Sequence, residues 1–301
     1  MRYSYASIIQ DAQKARWKID DVLASVHDID FGRMLLPDAL VRVDQLSFLG
    51  PDQRRCANQV RAHAYLQLFA LVERFILPFV MMHAGSALHS SSEELLALMQ
   101  FGEEEAKHIT LFERFSEAFE FGFGSVCEII GPADEIAGTV LAEPPLAVAL
   151  ITLHIEWMTQ EHYLRSVRGD PSMDPRFKEL LRAHWVEEAQ HARLDTLLIN
   201  RMVSDRSQRE RDQAIAAYLR IIETFRRGLR SQVELDLEAY SRAAGSLEDA
   251  HRDEWRACQR AAYNEAFLSV GMTHPRVLAV LDQHFPGGAS RVRKRAAELV
   301  G

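Results

Sequence analysis

An all-α fold is what the sequence predicts: a four-helix bundle with additional N- and C-terminal helices. Three observations lead there. Long stretches such as Tyr65–Leu77 and Leu146–Met158 are apolar and as long as helices. No alternating apolar run is bounded by hairpin turns, so no strand is expected. The stretches open on helix-start signals, a cap residue or a proline in the first turn.

Taken in order, residues from Tyr3 to about Val26 are amphipathic and predict a helix lying across the bundle. Residues 27–50 are irregular, broken at Gly32, Pro37 and Gly50. A long helix should run from Pro51 to about His83 and bend at Pro78, which removes a backbone donor. Ser91-x-x-Glu94 is a capping box opening a second helix, which reaches about Phe121 before Gly122 and Gly124 stop it. Residues 125–142, with Gly131-Pro132 and Gly138, read as a long crossover between two helical hairpins. Glu143-Pro144-Pro145 opens the third bundle helix, which ends near Gly169. Asp174-Pro175, a cap followed by proline, opens the fourth, running to about Val203. Beyond it, Ser207-x-x-Glu210 caps a long helix to about Ala244. Ser246 opens another, Pro275 a short one, and a charged helix ends the chain. The expected organisation is one domain over 1–301, with a bundle core at about 51–204 and a helical extension over 205–301.

The formal net charge is −8, which argues against a nucleic-acid-binding surface. Cys56, Cys127 and Cys258 are scattered without a pairing pattern and fit a reducing cytoplasm. The N-terminus shows no signal-peptide pattern. No uninterrupted apolar run reaches membrane-spanning length, so no membrane association is expected.

The chemistry sits in the fourth helix. His184, Glu188 and His191 are spaced four and three apart, so one helical stripe carries two imidazoles and a carboxylate. Glu105-Ala106-Lys107-His108 repeats the Glu-x-x-His step in the second helix. Two such motifs, plus one glutamate from each of two other helices, are the bundle-core pattern for two metals. The single glutamates follow by offset. Glu73 lies in the apolar helix upstream of Glu105 (105 − 73 = 32), and Glu156 in the one upstream of Glu188 (188 − 156 = 32). An acid within such a run costs several kcal/mol to desolvate unless paired or metal-bound. Four carboxylates balance two divalent ions, and carboxylate and imidazole without thiolate suit iron or manganese. Glu105 and Glu188 are expected to bridge. Glu73 and His108 would complete one metal, Glu156 and His191 the other, with His184 as an extra ligand of that second metal.

On Glu73, Glu105, His108, Glu156, His184, Glu188 and His191, over roughly residues 60–200, the chain resembles the p-aminobenzoate N-oxygenase family of ferritin-like di-iron oxygenases. The His-x-x-x-Glu-x-x-His form of the fourth helix is the most specific part of the likeness. The resemblance implies two iron ions that bind O2 as a peroxo species. It also implies oxygen insertion that takes an aryl amine towards hydroxylamine and nitro. Electrons would come from an external donor or reductase, since no flavin or nicotinamide fingerprint is present. A homodimer is the expected assembly. The residues leave open another di-metal oxidase (a C–H hydroxylase, a desaturase or a manganese catalase) and non-enzymatic iron binding. Tyr65, Phe69, Phe101 and Tyr163, one or two turns from ligands, are candidates for lining a flat substrate pocket. Asp195, one turn after His191, could hold a histidine by its second nitrogen.

Overall fold

A computed structural model describes residues 3–23 and 29–300. Among the described residues there is no strand beyond an isolated bridge between Met34 and Met173. The core consists of two antiparallel helix pairs. The first is α4 (Pro51–Ala87) with α5 (Ser92–Phe123), and the second α7 (Pro145–His162) with α8 (Pro175–Val203).

Local chemistry sets their starts. Gln53 Oε1 accepts the Gly50 N–H ahead of Pro51, opening α4. The Ser91 hydroxyl accepts from the Glu94 N–H at the start of α5. Asp174 accepts from the N–H groups of Arg176 and Phe177, satisfying orphan donors at the start of α8. Helix α4 continues through Pro78 to Ala87, one turn past the expected end. It is long and apolar enough to cross a membrane by composition alone. However, most of that stretch is buried within the bundle, and Glu73 sits in it.

Around the core, α1 (Tyr5–Ala15) lies across α5 and α8, as expected of an N-terminal crossing helix. It ends earlier than the periodicity suggests. A short α2 (Ile19–Leu23) follows, and Val26 falls outside the described residues. A short α3 (Asp38–Val41) interrupts the segment read as irregular. The crossover also holds a helix that was not expected, α6 (Ala133–Leu141), which packs on α4. Its Gly138 faces open space, so it interrupts the sequence pattern without interrupting the backbone. Helix α9 (Gln208–Ala244), opened by a reciprocal Ser207–Glu210 box, packs against α4 and α7. Then come α10 (Asp249–Asn264), α11 (Val270–Thr273), α12 (Pro275–His284) and α13 (Gly288–Val300). Two π turns, Tyr163–Val167 after α7 and Glu265–Ser269 after α10, widen the helical path near the core.

Candidate metal centre

The four core helices bring all seven sequence-nominated side chains to one place, each at most 3% exposed. They form two overlapping sets, with the donor atoms of each set within 4.8 Å of one another. Glu73, His108, His184 and Glu188 make one set. Glu105, Glu156, Glu188 and His191 make the other.

Glu188 belongs to both. Its Oε1 lies 2.7 Å from His184 Nε2 and 3.1 Å from His108 Nδ1, while its Oε2 lies 3.1 Å from His191 Nδ1. Glu105 spans the same gap, with Oε1 2.9 Å from His191 Nδ1 and Oε2 3.9 Å from His108 Nδ1.

One detail corrects the expectation. His184 joins the set of Glu73 and His108, not that of Glu156 and His191. On α8 it precedes Glu188 by one turn, whereas His191 follows by one turn. Their backbone positions are about 10 Å apart along the axis, with the Glu188 carboxylate between the two imidazoles. The spacing already contained that signal.

Whether the residues suit a pair of ions is tested by their unsatisfied atoms. Oε2 of Glu73, both oxygens of Glu105, Nδ1 of His108, Oε2 of Glu156, Nε2 of His184 and Oε1 of Glu188 are buried and make no aligned hydrogen bond, although several lie within 2.7–3.1 Å of an opposing donor or acceptor. Buried polar atoms left unpaired cost free energy. So many in one spot, with the two sets sharing Glu188, fit two cations. The oxygen-and-nitrogen donor set fits iron, with manganese as an alternative.

Electrostatics agrees. Burial holds the Glu73 and Glu156 carboxyls well above the usual range, with the neighbouring Glu105 and Glu188 charges adding to it. His108 and His191 are held well above the ordinary imidazole value because surrounding carboxylates outweigh their burial. His184 is pushed down by burial. Glu188 is held well below its ordinary value, chiefly by His184 and His191, which overcome its desolvation.

Two further acids, not nominated from the sequence, fix the imidazoles. Glu104 Oε2 lies 2.7 Å from His191 Nε2, and Glu187 Oε2 lies 3.0 Å from His108 Nε2. The pattern is crossed. On each paired-motif helix, the residue before the bridging glutamate holds the histidine of the other helix. Gln190 donates to Glu104, and Lys107 pairs with Glu187 while covering the Trp17 ring. With each Nε2 so engaged, Nδ1 of both histidines faces the centre. The glutamate run 103–105 and the Glu-Glu doublet 187–188 were the available signal. Asp195 does not take this role. It is buried and neither of its oxygens makes a hydrogen bond, because Glu104 already occupies His191 Nε2.

The aromatic candidates separate. Phe69 stands edge-on to His184 at 5.2 Å and lines an apolar cavity of about 280 Å³ between α4, α7 and α9. Val72 and Ile155, chain neighbours of Glu73 and Glu156, also line it. Tyr65, Phe101 and Tyr163 do not. Tyr65 packs behind Phe69, with its hydroxyl 2.9 Å from His162 Nδ1. Phe101 stacks on the His191 ring at 3.9 Å. Tyr163, where α7 widens into its π turn, stacks on Trp185 at 4.4 Å, one residue off the ligand stripe.

No curated protein matches the chain by sequence. Among solved structures, it is similar to an R2-like ligand-binding oxidase with aerobically reconstituted Mn/Fe cofactor. The identity is 14%, the TM-score 0.45, and 88% of this chain and 92% of that chain are covered. A mutant of that oxidase with anaerobically reconstituted Mn/Fe cofactor gives 13%, 0.46, 88% and 93%. The family model described as P-aminobenzoate N-oxygenase AurF matches residues 42–268. This span holds all seven cluster residues and most of the 301-residue chain, which therefore belongs to the p-aminobenzoate N-oxygenase AurF family of di-metal oxidases.

Proposed function

We propose that the protein is an O2-dependent di-iron N-oxygenase that oxidises an aryl amine, with electrons from an external donor or reductase. The observation that carries this reading is the third imidazole. His184 makes the two metal positions unequal within a chain whose family is described by N-oxygenation. Two iron ions, when bound, supply O2 reduction and oxygen delivery. In the balance of a first turnover, one oxygen atom enters the N–H bond to give the hydroxylamine. The other leaves as water, taking two electrons and two protons from outside.

The chain's own residues do the rest. Glu104 and Glu187 hold His191 and His108 with Nδ1 inward. Phe101 and Phe112 pack on the His191 and His184 rings and restrict their rotation. The surrounding phenylalanines keep bulk water from the carboxylates, which strengthens their interaction with bound cations.

The test is a panel of aryl amines given to the iron-loaded protein with a reductant and O2, with products followed by mass spectrometry. Hydroxylamine, nitroso or nitro products that require O2 are expected. Products hydroxylated on carbon alone, or gas release from peroxide without amine oxidation, would replace this reading with that of another di-metal oxidase.

A further inference from the structure

The seven cluster residues are buried on every side, so divalent cations need a way in. On the side of α4, α7 and α9 the neighbouring cavity is walled by hydrocarbon next to Phe69. A divalent ion passing there would shed its water with no polar group to replace it, which is prohibitive. Polar side chains reach the ligand histidines from outside on α5 and α8 instead. Glu187 and Lys107 stand behind His108, and Glu104 and Gln190 behind His191.

The N-terminal part of the chain covers that seam. Helix α1 lies across both helices, and Trp17, two residues past its end, continues the cover. The half-buried Trp17 ring is nearly parallel to that of His108, with 6.3 Å between centroids. Lys107 Nζ sits 4.1 Å from the centre of the Trp17 ring and donates to the Trp17 carbonyl at 3.4 Å. From the surface inward the order is therefore Trp17, Lys107, Glu187, His108. The cover is lightly held. Along α1 the fully buried side chains are Ile8 and Ala12. Asp11 pairs with Arg193 at 2.8 Å and Arg16 with Glu103 at 2.7 Å, all four partly or largely open to solvent. Such pairs add little, and an element with few buried apolar side chains opens before the core does.

We propose that α1 and Trp17 form a gate over the α5–α8 seam, through which divalent cations enter and leave the centre. Opening removes both contacts of Lys107 with Trp17. The long lysine side chain then swings into water, and the Glu187 carboxylate beside His108 receives a cation in place of the ammonium. Closing returns Lys107 to Glu187 and shuts water out. The proposal rests on the metal centre and not on which substrate is oxidised.

The experiment uses the full-length chain and Fe2+, without oxygen or amine, so it does not depend on oxidation. Loading is timed by the disappearance of free Fe2+, and loss by transfer to the coloured chelator ferrozine. A gate changes how fast ions pass, not how tightly they are held. Ile8→Ala should therefore speed loading and loss alike, by about tenfold or more, and leave the dissociation constant unchanged. A buried Ile→Ala change costs more than the ~1.4 kcal/mol that a factor of ten represents. Hydrogen exchange should rise along α1 and stay as in the parent along α4 and α7. Asp11→Ala should act in the same direction by about twofold, and decides the matter if the isoleucine variant does not fold. Ile136→Trp, which fills the hydrocarbon cavity from α6, should alter neither rate. Unchanged rates in Ile8→Ala, or in Asp11→Ala should the first not fold, would overturn the gate. Faster loss with unchanged loading would overturn it too, because that is weaker binding rather than easier passage. Slower loading and loss in Ile136→Trp would place the route on the cavity side and exclude the seam.

Discussion

At the scale of single residues, the acids and imidazoles of the cluster shift one another in opposite directions. Burial and neighbouring carboxylates push the Glu73 and Glu156 carboxyls up, surrounding carboxylates push the His108 and His191 imidazoles up, and Glu105 and Glu188 are lowered by the groups that face them. Divalent ions bind the deprotonated forms of carboxyls and imidazoles, so they compete with protons at the groups that are pushed up. Loading near neutral pH should therefore release protons. The sign follows: affinity rises with pH and is lost as acid restores those protons. Calorimetry in buffers of different ionisation enthalpy measures the number.

His184→Ala should leave the fold intact and take bound iron from about two per chain towards one, since the Glu156–His191 position does not use it. Metal analysis checks this, and two tightly held irons in the variant would remove His184 from the ligand set. Glu187→Ala and Glu104→Ala should each weaken one position by about 10–100-fold in a chelator competition. The glutamates of the two Glu-x-x-His motifs could be read because helical spacing places them on one stripe. Glu104 and Glu187 escaped that reading because the residue before a stripe residue points towards a neighbouring helix, and spacing does not say which one.

At the scale of elements, the π turn Glu265–Ser269 explains two histidines that flank Glu156 without sharing its stripe. His162 Nε2 lies 2.9 Å from Ala266 O, and His154 Nε2 lies 3.1 Å from Phe267 O. A carbonyl only accepts, so each Nε2 donates. Each neutral ring then uses Nδ1 to accept, from Tyr65 at 2.9 Å and from Tyr218 at 2.8 Å. The widened turn offers the carbonyls, and the histidines staple it to α7. Gly271 permits the approach, since a Cβ there would lie 2.3 Å from His154 Cδ2.

Burial pushes both imidazoles down to about 4. The unfolded chain therefore takes up protons first as pH falls. This share of stability is whole above about pH 6.5 and drains away towards pH 4, on the order of 3 kcal/mol per histidine. His162→Leu should cost about 2–3 kcal/mol at pH 7, and its melting temperature should fall less steeply between pH 6.5 and 4 than the parent's. An equal acid slope would show that His162 is not the group responsible. The π turns themselves were not legible in the sequence, because one extra residue per turn leaves no mark in the apolar pattern.

At the scale of the molecule, the bundle carries the strain of unpaired polar atoms at its centre, and cations that bind only the folded chain relieve it. Loading at 1,000 times the dissociation constant should raise stability by about 4 kcal/mol per site. The gain should appear as a higher melting temperature and reverse with chelator. A melting temperature indifferent to iron and manganese would count against the whole cluster as a metal site.

The four core helices, most of the helix starts and the seven residues of the cluster were legible in the sequence, because caps and stripes depend on neighbours three or four residues apart; α3, α6 and the start of α10 at Asp249 rather than Ser246 were not. The equal 32-residue offsets added the hairpin pairing. Only the packing of the helices shows which histidine meets which acid across helices, and that Phe69 but not Tyr65, Phe101 or Tyr163 lines the cavity. Those outcomes depend on how helices slide and rotate against one another as their side chains interlock. That fit is set by every contacting residue at once, and no local spacing encodes it.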